Sequence, residues 1–295
     1  MQPNPNEQPT IRALLANAER FLSEGPHRER ARRDAEALLL DLLRGHWRMT
    51  NRAWLIAHGD EVVPHDAGVT FGAWIRRRFD GEPMQYICGE TEFYRMPFHV
   101  NRDVLIPRPE TELLVEKAVQ LAPVFRRPRM VDVGTGSGAI AIALAHEWPD
   151  AVVTAIDISA AALEVAGRNA ARTGFADRIR FLEGDLLEPV AGERFDIVIS
   201  NPPYVPERDR DSLSVEVRDY EPAQALFAGV DGLEVYRRLF PAAFAALAPG
   251  GFVALEIGFG QRTAVGELLA QARFEDIEFV KDLQGIARVA VARRP

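Results

Sequence analysis

The sequence predicts an α/β protein: a doubly wound, mostly parallel sheet preceded by a small all-helical bundle. Three observations predict it. From Arg129 onward, short apolar runs alternate with stretches of helical spacing, the pattern of parallel strands joined by crossover helices. Between the first such strand and its helix lies Gly134-Thr135-Gly136-Ser137-Gly138, a glycine-rich turn of the kind that cradles a ligand at a strand–helix junction. Before residue 80, by contrast, apolar residues recur only at helical spacing.

Taken in order, Leu14, Leu15, Ala18, Phe21 and Leu22 form one apolar stripe, and Ala35, Leu38, Leu39, Leu42 and Leu43 a second. Trp54 and Leu55, then Val69, Phe71, Trp74 and Ile75, continue to Phe79, with Gly-Pro and Val-Pro breaks between. Four or five short helices follow from this. Tyr86-Ile87, Phe93-Tyr94 and Phe98-His99-Val100 are short aromatic runs split by Gly and Pro, and read as a β-hairpin linker over 84–106. A helix begins near Thr111. Strands are then expected at Met130–Val133, Val152–Ile156, Ile179–Leu182, Phe195–Ser200 and Phe252–Ile257, with helices at Ala139–His146, Ala160–Arg172 and Leu233–Leu247. Phe274–Val280 and Ala287–Val291 lie close enough to pair antiparallel. The division is residues 1–83, a helical bundle; 84–106, the hairpin linker; and 107–295, the sheet domain.

Composition excludes several classes. The first ten residues are polar and proline-rich, without the apolar core of a signal peptide. No run approaches the ~20 apolar residues of a membrane span. The single cysteine, Cys88, precludes an internal disulfide and reads as a small core residue. The compartment expected is the cytosol. The six histidines (27, 46, 58, 65, 99 and 146) show no metal-ligand spacing with cysteine or carboxylates, so no metal site is expected. Net charge is −8, and residues 1–85 hold twelve arginines against twelve acids. The excess acid therefore lies in the sheet domain, the reverse of the basic field that surrounds a nucleic-acid enzyme's site. Arg76-Arg77-Arg78 and the arginines from Arg28 to Arg33 read as solvated helix faces.

The site follows from two segments. Gly134, Gly136 and Ala139 satisfy the loose dinucleotide fingerprint, and Asp157 ends the next strand, where a ribose-binding acid belongs. A nicotinamide dinucleotide and S-adenosylmethionine both fit this geometry. The second is favoured because the loop follows a separate domain, because Asp132 stands where a carboxylate can meet a methionine amino group, and because Asp185 can accept from an adenine amino group. At the end of the fourth strand stands Asn201-Pro202-Pro203-Tyr204. Asn201 offers a side-chain carbonyl and Pro202 a backbone carbonyl, which Pro203 holds in an extended conformation. Tyr204 adds an aromatic face. Together they suit a planar –NH2 group, held by both hydrogens. A methyl donor beside a held nitrogen makes the reaction methyl transfer.

With these motifs the chain resembles the class I methyltransferases that act on amide or exocyclic amino nitrogens, and more closely the release factor glutamine methyltransferases. The resemblance runs through Asp34-Ala-Glu-Ala-Leu-Leu-Leu, Gly81-Glu-Pro, Phe93-Tyr94 and Ile106-Pro-Arg-Pro-Glu-Thr-Glu112. It continues through Tyr220-Glu221-Pro222, Ala225-Leu226, Asp231-Gly232-Leu233 and Leu255-Glu256-Ile257-Gly258. It implies a Rossmann-like, seven-stranded, mostly parallel sheet with an antiparallel last strand. It also implies S-adenosylmethionine as cofactor and, as protein substrate, class 1 peptide chain release factors, methylated on the glutamine of their Gly-Gly-Gln loop. Gly134, Thr135, Gly136, Ser137, Gly138, Asp157 and Asn201 are then cofactor contacts, with Asp132, Asp185 and Leu186 beside them. Leu186 stands where a tryptophan commonly packs on the adenine in the family; the exchange removes a ring but no hydrogen-bonding group. Asn201, Pro202, Pro203 and Tyr204 would hold the glutamine, and Arg108, Glu110 and Thr111 would border the pocket. Tyr220-Glu221-Pro222 reads as a structural lid and Glu256 as a core acid.

An amide nitrogen is a poor nucleophile, and no His, Lys or Cys lies near the Asn201–Tyr204 string. No general base is expected; the two carbonyls would accept the amide hydrogens and aim the nitrogen, alignment that accounts for ~7–11 kcal/mol in favourable cases. An adenine-specific DNA methyltransferase, a ribosomal-protein glutamine methyltransferase and a binding protein with an inert cofactor fold are the alternatives. The charge distribution opposes the first, the intact Ile106–Glu112 run the second, and the complete loop, acid and clamp the third. The enzyme is expected to act as a monomer, without direct nucleic-acid or membrane contact, its helical bundle docking the substrate.

Overall fold

The structure, a computed structural model, describes residues 8–44 and 51–295. His46 and most of the polar N-terminal stretch lie outside these residues. The chain divides into two compact units: residues 1–89 with Ser214–Tyr220, and residues 90–213 with 221–295.

The first unit is helical, with α1 Ile11–Leu22, α2 Ala31–Leu43, α3 Arg52–Ala57, α4 His65–Phe79 and α5 Met84–Cys88. Thr10 opens α1 by accepting the Ala13 N–H, satisfying one of the donors a helix start leaves free. Ile11, Leu15, Ala18 and Leu22 form its buried stripe, facing Ala35, Leu38, Leu39 and Leu43 of α2 and Phe71 and Ile75 of α4. Two expectations are corrected here. Tyr86 and Ile87 belong to a helix rather than the hairpin: Pro83 precedes it, Gly89 closes it in the left-handed conformation, and both side chains are buried. Of the arginine run on α4, Arg76 is exposed but Arg77 and Arg78 are not a solvated face. Arg78 is 1% exposed, donating to Asp34 Oδ2 at 2.7 Å and to Glu216 Oε1 at 2.5 Å. Arg77 grips Glu82 at 2.8 and 2.9 Å. In the second basic cluster Arg32 is likewise engaged, with Glu36 and Glu19.

The second unit opens on a hairpin, β1 Glu90–Phe93 and β2 Met96–His99, shorter than the 84–106 linker expected. It continues with α6 Pro109–Leu121, β3 Arg129–Val133, α7 Ala139–Glu147, β4 Val152–Asp157, α8 Ala160–Thr173, β5 Ile179–Glu183 and β6 Phe195–Ser200. The chain then gives α9 Val215–Tyr220 to the first unit, and the second resumes with α10 Ala223–Leu226, α11 Glu234–Ala246, β7 Leu247–Glu256, α12 Arg262–Gln271, β8 Glu275–Lys281 and β9 Ala287–Arg293. Helix α12 escaped the sequence reading because only Val265 and Leu269 are buried, and Gly266 interrupts the stripe.

Seven strands form one sheet in the order β5-β4-β3-β6-β7-β9-β8. All pairs are parallel except those of β9, which runs antiparallel to β7 and β8. Both faces are covered, and alternate residues sort accordingly. Met130, Val153, Ala155, Ile197, Ile199 and Ala254 pack with α6 and α7; Val131, Val133, Val198, Val253 and Leu255 pack with α11 and α12. Helix α7 is buried from Ala139 to Ala145, each larger side chain contributing roughly 1.5–3 kcal/mol. Strand order reverses between β3 and β6, and a crevice opens at the carboxyl ends of strands at such a point.

Candidate active site

The glycine turn after β3 is fastened to the end of β4. Gly134 and Thr135 donate their N–H groups to the Ile156 carbonyl at 2.8 and 3.0 Å. Gly136 donates to Asp157 Oδ2 at 2.8 Å, and Ser159 to Asp157 Oδ1 at 2.9 Å. Gly134 and Gly136 have φ of 73° and 55°, and nothing lies within 4 Å of where a Cβ would sit. A left-handed backbone and free approach to it both call for glycine. Gly138 serves a different purpose: a Cβ there would lie 3.1 Å from Ala166 and 3.2 Å from Ile142, so it lets α7 pack on α8.

Asp132 is fully buried beneath this turn. Its Oδ2 accepts the Thr135 hydroxyl at 2.6 Å, and Oδ1 has no partner among the described residues. Burial pushes its carboxyl up to about 7, against the pull of Thr135 and aided by the charge of Asp157. Burial also raises Asp157, opposed by its backbone N–H donors. Asn169, which the sequence reading missed, is fully buried and accepts the His99 N–H while donating to the His99 and Ser137 carbonyls. An asparagine inside a helix gives no sequence signal for such a role.

These elements border a cavity of about 300 Å³, within the range of small-ligand sites. Of the residues singled out in the sequence, Gly134, Thr135, Gly136, Ser137, Asp157, Asp185, Leu186, Asn201, Pro202 and Pro203 line it. So does Thr111, together with Arg238 and two segments given no site role in the sequence reading, Asp103–Leu105 and Gln224–Ala225. Arg238 pairs with Asp185 at the rim. Leu186 holds φ at 48°, a strained conformation for a branched side chain. No histidine, lysine or cysteine lines the cavity.

Five expected site residues stand off the wall. Asp132 and Gly138 act behind the turn. Tyr204 packs against the core of the α11 side, and its hydroxyl donates to Glu256 Oε1 at 3.1 Å; burial raises the phenol well above its usual range. Its ring is therefore not on the cavity wall. Arg108 donates to both oxygens of the buried Glu221 at 2.6 and 2.7 Å, and Glu110 is exposed. Thr111 does not cap α6, whose start is supplied by Arg108 and Pro109 with no side-chain cap. Its hydroxyl donates to Glu256 Oε2 at 2.6 Å and accepts Asn201 Nδ2 at 3.2 Å. Asn201 thus keeps its Oδ1 for the cavity. Among the described residues none donates to that oxygen or to the Pro202 carbonyl.

Residues 109–218 match the family described as Methyltransferase small domain, and residues 13–89 the PrmC N-terminal domain. The release factor glutamine methyltransferase of Koribacter versatilis (strain Ellin345) is 41% identical over 276 residues, 93% of this chain and 97% of its own length. The chain belongs to the release factor glutamine methyltransferases. Another member, from Xylella fastidiosa (strain 9a5c), is 43% identical over 262 residues, 89% of this chain and 93% of that one. A methyltransferase from Pyrococcus furiosus shares the fold, with a TM-score of 0.50 at 20% identity, over 68% of this chain and 90% of that one. Among the described residues no helix is long and apolar enough to cross a membrane, and no cluster suits a metal ion.

Proposed function

We propose that this chain methylates the side-chain amide nitrogen of the glutamine in the Gly-Gly-Gln loop of class 1 peptide chain release factors, with S-adenosylmethionine as donor. The observation that carries the reading is the pair of unengaged acceptors, Asn201 Oδ1 and the Pro202 carbonyl, on the wall of the same cavity as the glycine turn. Two carbonyls side by side match the two hydrogens of a carboxamide.

The residues present fit the donor. Gly134 to Ser137 would receive it along an approachable backbone, Asp157 would accept from ribose hydroxyls, and Asp185 and Leu186 would border the adenine. Behind the turn, the buried Oδ1 of Asp132 has no partner among the described residues and stands as a further acceptor toward this side of the site. When bound, S-adenosylmethionine supplies an electrophilic methyl group on a sulfonium. Asn201 and Pro202 draw electron density onto the amide nitrogen by accepting its hydrogens, and aim its face. The nitrogen gains the methyl and loses one hydrogen as a proton; no histidine, lysine or cysteine lines the cavity to take it, and an N-protonated amide is acidic enough to give it up to water. Much of the wall is apolar, with Val133, Ala139, Ile140, Ile156 and Pro202 among its residues, which favours a step in which charge is dispersed. The acid excess of residues 86–295 supports a protein substrate over a nucleic acid.

The test is methylation of a purified release factor, with its Gly-Gly-Gln glutamine-to-alanine variant as control, read by peptide mass. One added methyl on that glutamine, absent from the control, is the expected result. Methyl on another residue, or equal labelling of both proteins, overturns the assignment.

A further inference from the structure

We propose that Glu256 is a positioning residue for Asn201: acting through the Thr111 hydroxyl, it dictates which end of the Asn201 amide faces the cavity. The proposal rests on the reading of Asn201 as an acceptor for the substrate amide.

Thr111 has one hydroxyl hydrogen and two neighbours, Glu256 Oε2 at 2.6 Å and Asn201 Nδ2 at 3.2 Å. A carboxylate only accepts, so the hydrogen belongs to Glu256, and the hydroxyl offers Asn201 nothing but lone pairs. Asn201 must then turn its Nδ2 toward Thr111, which leaves Oδ1 for the cavity. The opposite flip would set two oxygen lone pairs against each other. A carboxamide in a cavity without this relay has no such preference and would present its NH2 end, a donor facing a donor, for part of the time.

Glu256 is built to hold that role. It ends β7, is 3% exposed, and its second oxygen accepts the Tyr204 hydroxyl at 3.1 Å. Its own backbone carbonyl accepts the Tyr236 hydroxyl from α11 at 3.0 Å. Both carboxylate oxygens therefore have donors, and the carboxyl cannot swing away from Thr111. Relay hydrogen bonds in a low-dielectric wall also polarise one another, so the Glu256 charge strengthens Asn201 Oδ1 as an acceptor. The charged groups that bear on Glu256 are Glu110 of α6, which opposes its ionisation, and Arg288 of β9, which favours it. Burial outweighs Arg288 and raises the carboxyl above its usual range. As pH falls through that raised value the carboxyl gains a proton, becomes able to donate, and releases the Thr111 hydroxyl to either neighbour.

The experiment measures kcat and KM for methylation of a purified release factor by the full chain across pH, with donor binding by calorimetry. Thr111→Val keeps the shape and removes the hydroxyl; it should lower kcat about 10- to 100-fold, below the roughly 100- to 1000-fold of deleting an oriented group outright because Asn201 itself remains, with donor affinity held within about twofold. Thr111→Ser restores the relay and should stay within about threefold of the parent on the same scale. Glu256→Gln can still accept from Thr111 through its one carbonyl, so it should retain reduced activity but lose the acid limb of the parent's kcat profile. Thr111→Val with unchanged kcat, Thr111→Ser falling as far as Thr111→Val, or an acid limb that survives in Glu256→Gln each overturns the proposal. No methylation by the parent chain would instead overturn the functional reading, which separates the two.

Discussion

Asp132→Asn removes a charge that the fold holds at a cost. The carboxyl titrates at 3.8 in an open chain and at about 7 beneath the glycine turn, because burial disfavours the charged form more than the Thr135 hydroxyl favours it. The folded protein therefore keeps a proton that the unfolded chain has already lost. The stability linked to this group is fully present below about pH 4 and is lost as pH rises to about 7, at about 1.4 kcal/mol per pH unit. Between about pH 5 and about pH 8 the parent protein loses up to about 3 kcal/mol on this account. The asparagine variant does not titrate and resembles the neutral acid in shape and polarity. Its melting temperature relative to the parent should thus rise with pH, by on the order of 5–10 °C between about pH 5 and about pH 8 at ~2–4 °C per kcal/mol. Thermal melts of both proteins in matched buffers provide the assay. A melting difference that stays constant with pH would refute the idea that Asp132 is ionised at a cost beneath the turn.

Gly136→Ala and Gly138→Ala should separate ligand approach from packing. The first meets only a left-handed φ, costing about 1–2 kcal/mol, and should chiefly weaken donor binding. The second adds contacts with Ala166 and Ile142 and should cost about 2–4 kcal/mol; equal losses of melting temperature would contradict this. Tyr204→Phe removes one hydrogen bond to Glu256, worth about 1 kcal/mol of stability. Its turnover should fall less than about tenfold, whereas Asn201→Ala should fall about 100-fold or more. Equal loss in both would restore Tyr204 to the cavity wall.

Much of the molecule was legible from residue order. Each strand from β3 to β9 lies within a few residues of its apolar run, since burial on both faces of a parallel sheet needs a continuous hydrophobic segment. The glycine turn, Asp157 and the Asn201–Pro203 segment were legible because they sit at strand ends, which the periodicity locates. The helix Arg262–Gln271 was not, having only two buried side chains. Nor was the start of the hairpin, because Tyr86 and Ile87 are as suitable for one buried helical turn as for a strand. Arg78 looked like surface in a run of three arginines, yet its acidic partners Asp34 and Glu216 lie 44 and 138 residues away.

The residue order of this chain determined its sheet, its glycine cradle and the presence of two carbonyl acceptors after β6, since these depend on local spacing and backbone chemistry. The direction each side chain takes was decided only by tertiary structure. Tyr204 stands in the same four-residue string as Asn201, but a hydroxyl seeks a buried acceptor and Glu256 draws it off the cavity. Asn201 meets Thr111 across 90 residues, and Thr111 meets Glu256 across 145. A hydrogen bond is a matter of distance and proton count in space, and no spacing along the chain encodes which partner a buried amide will find.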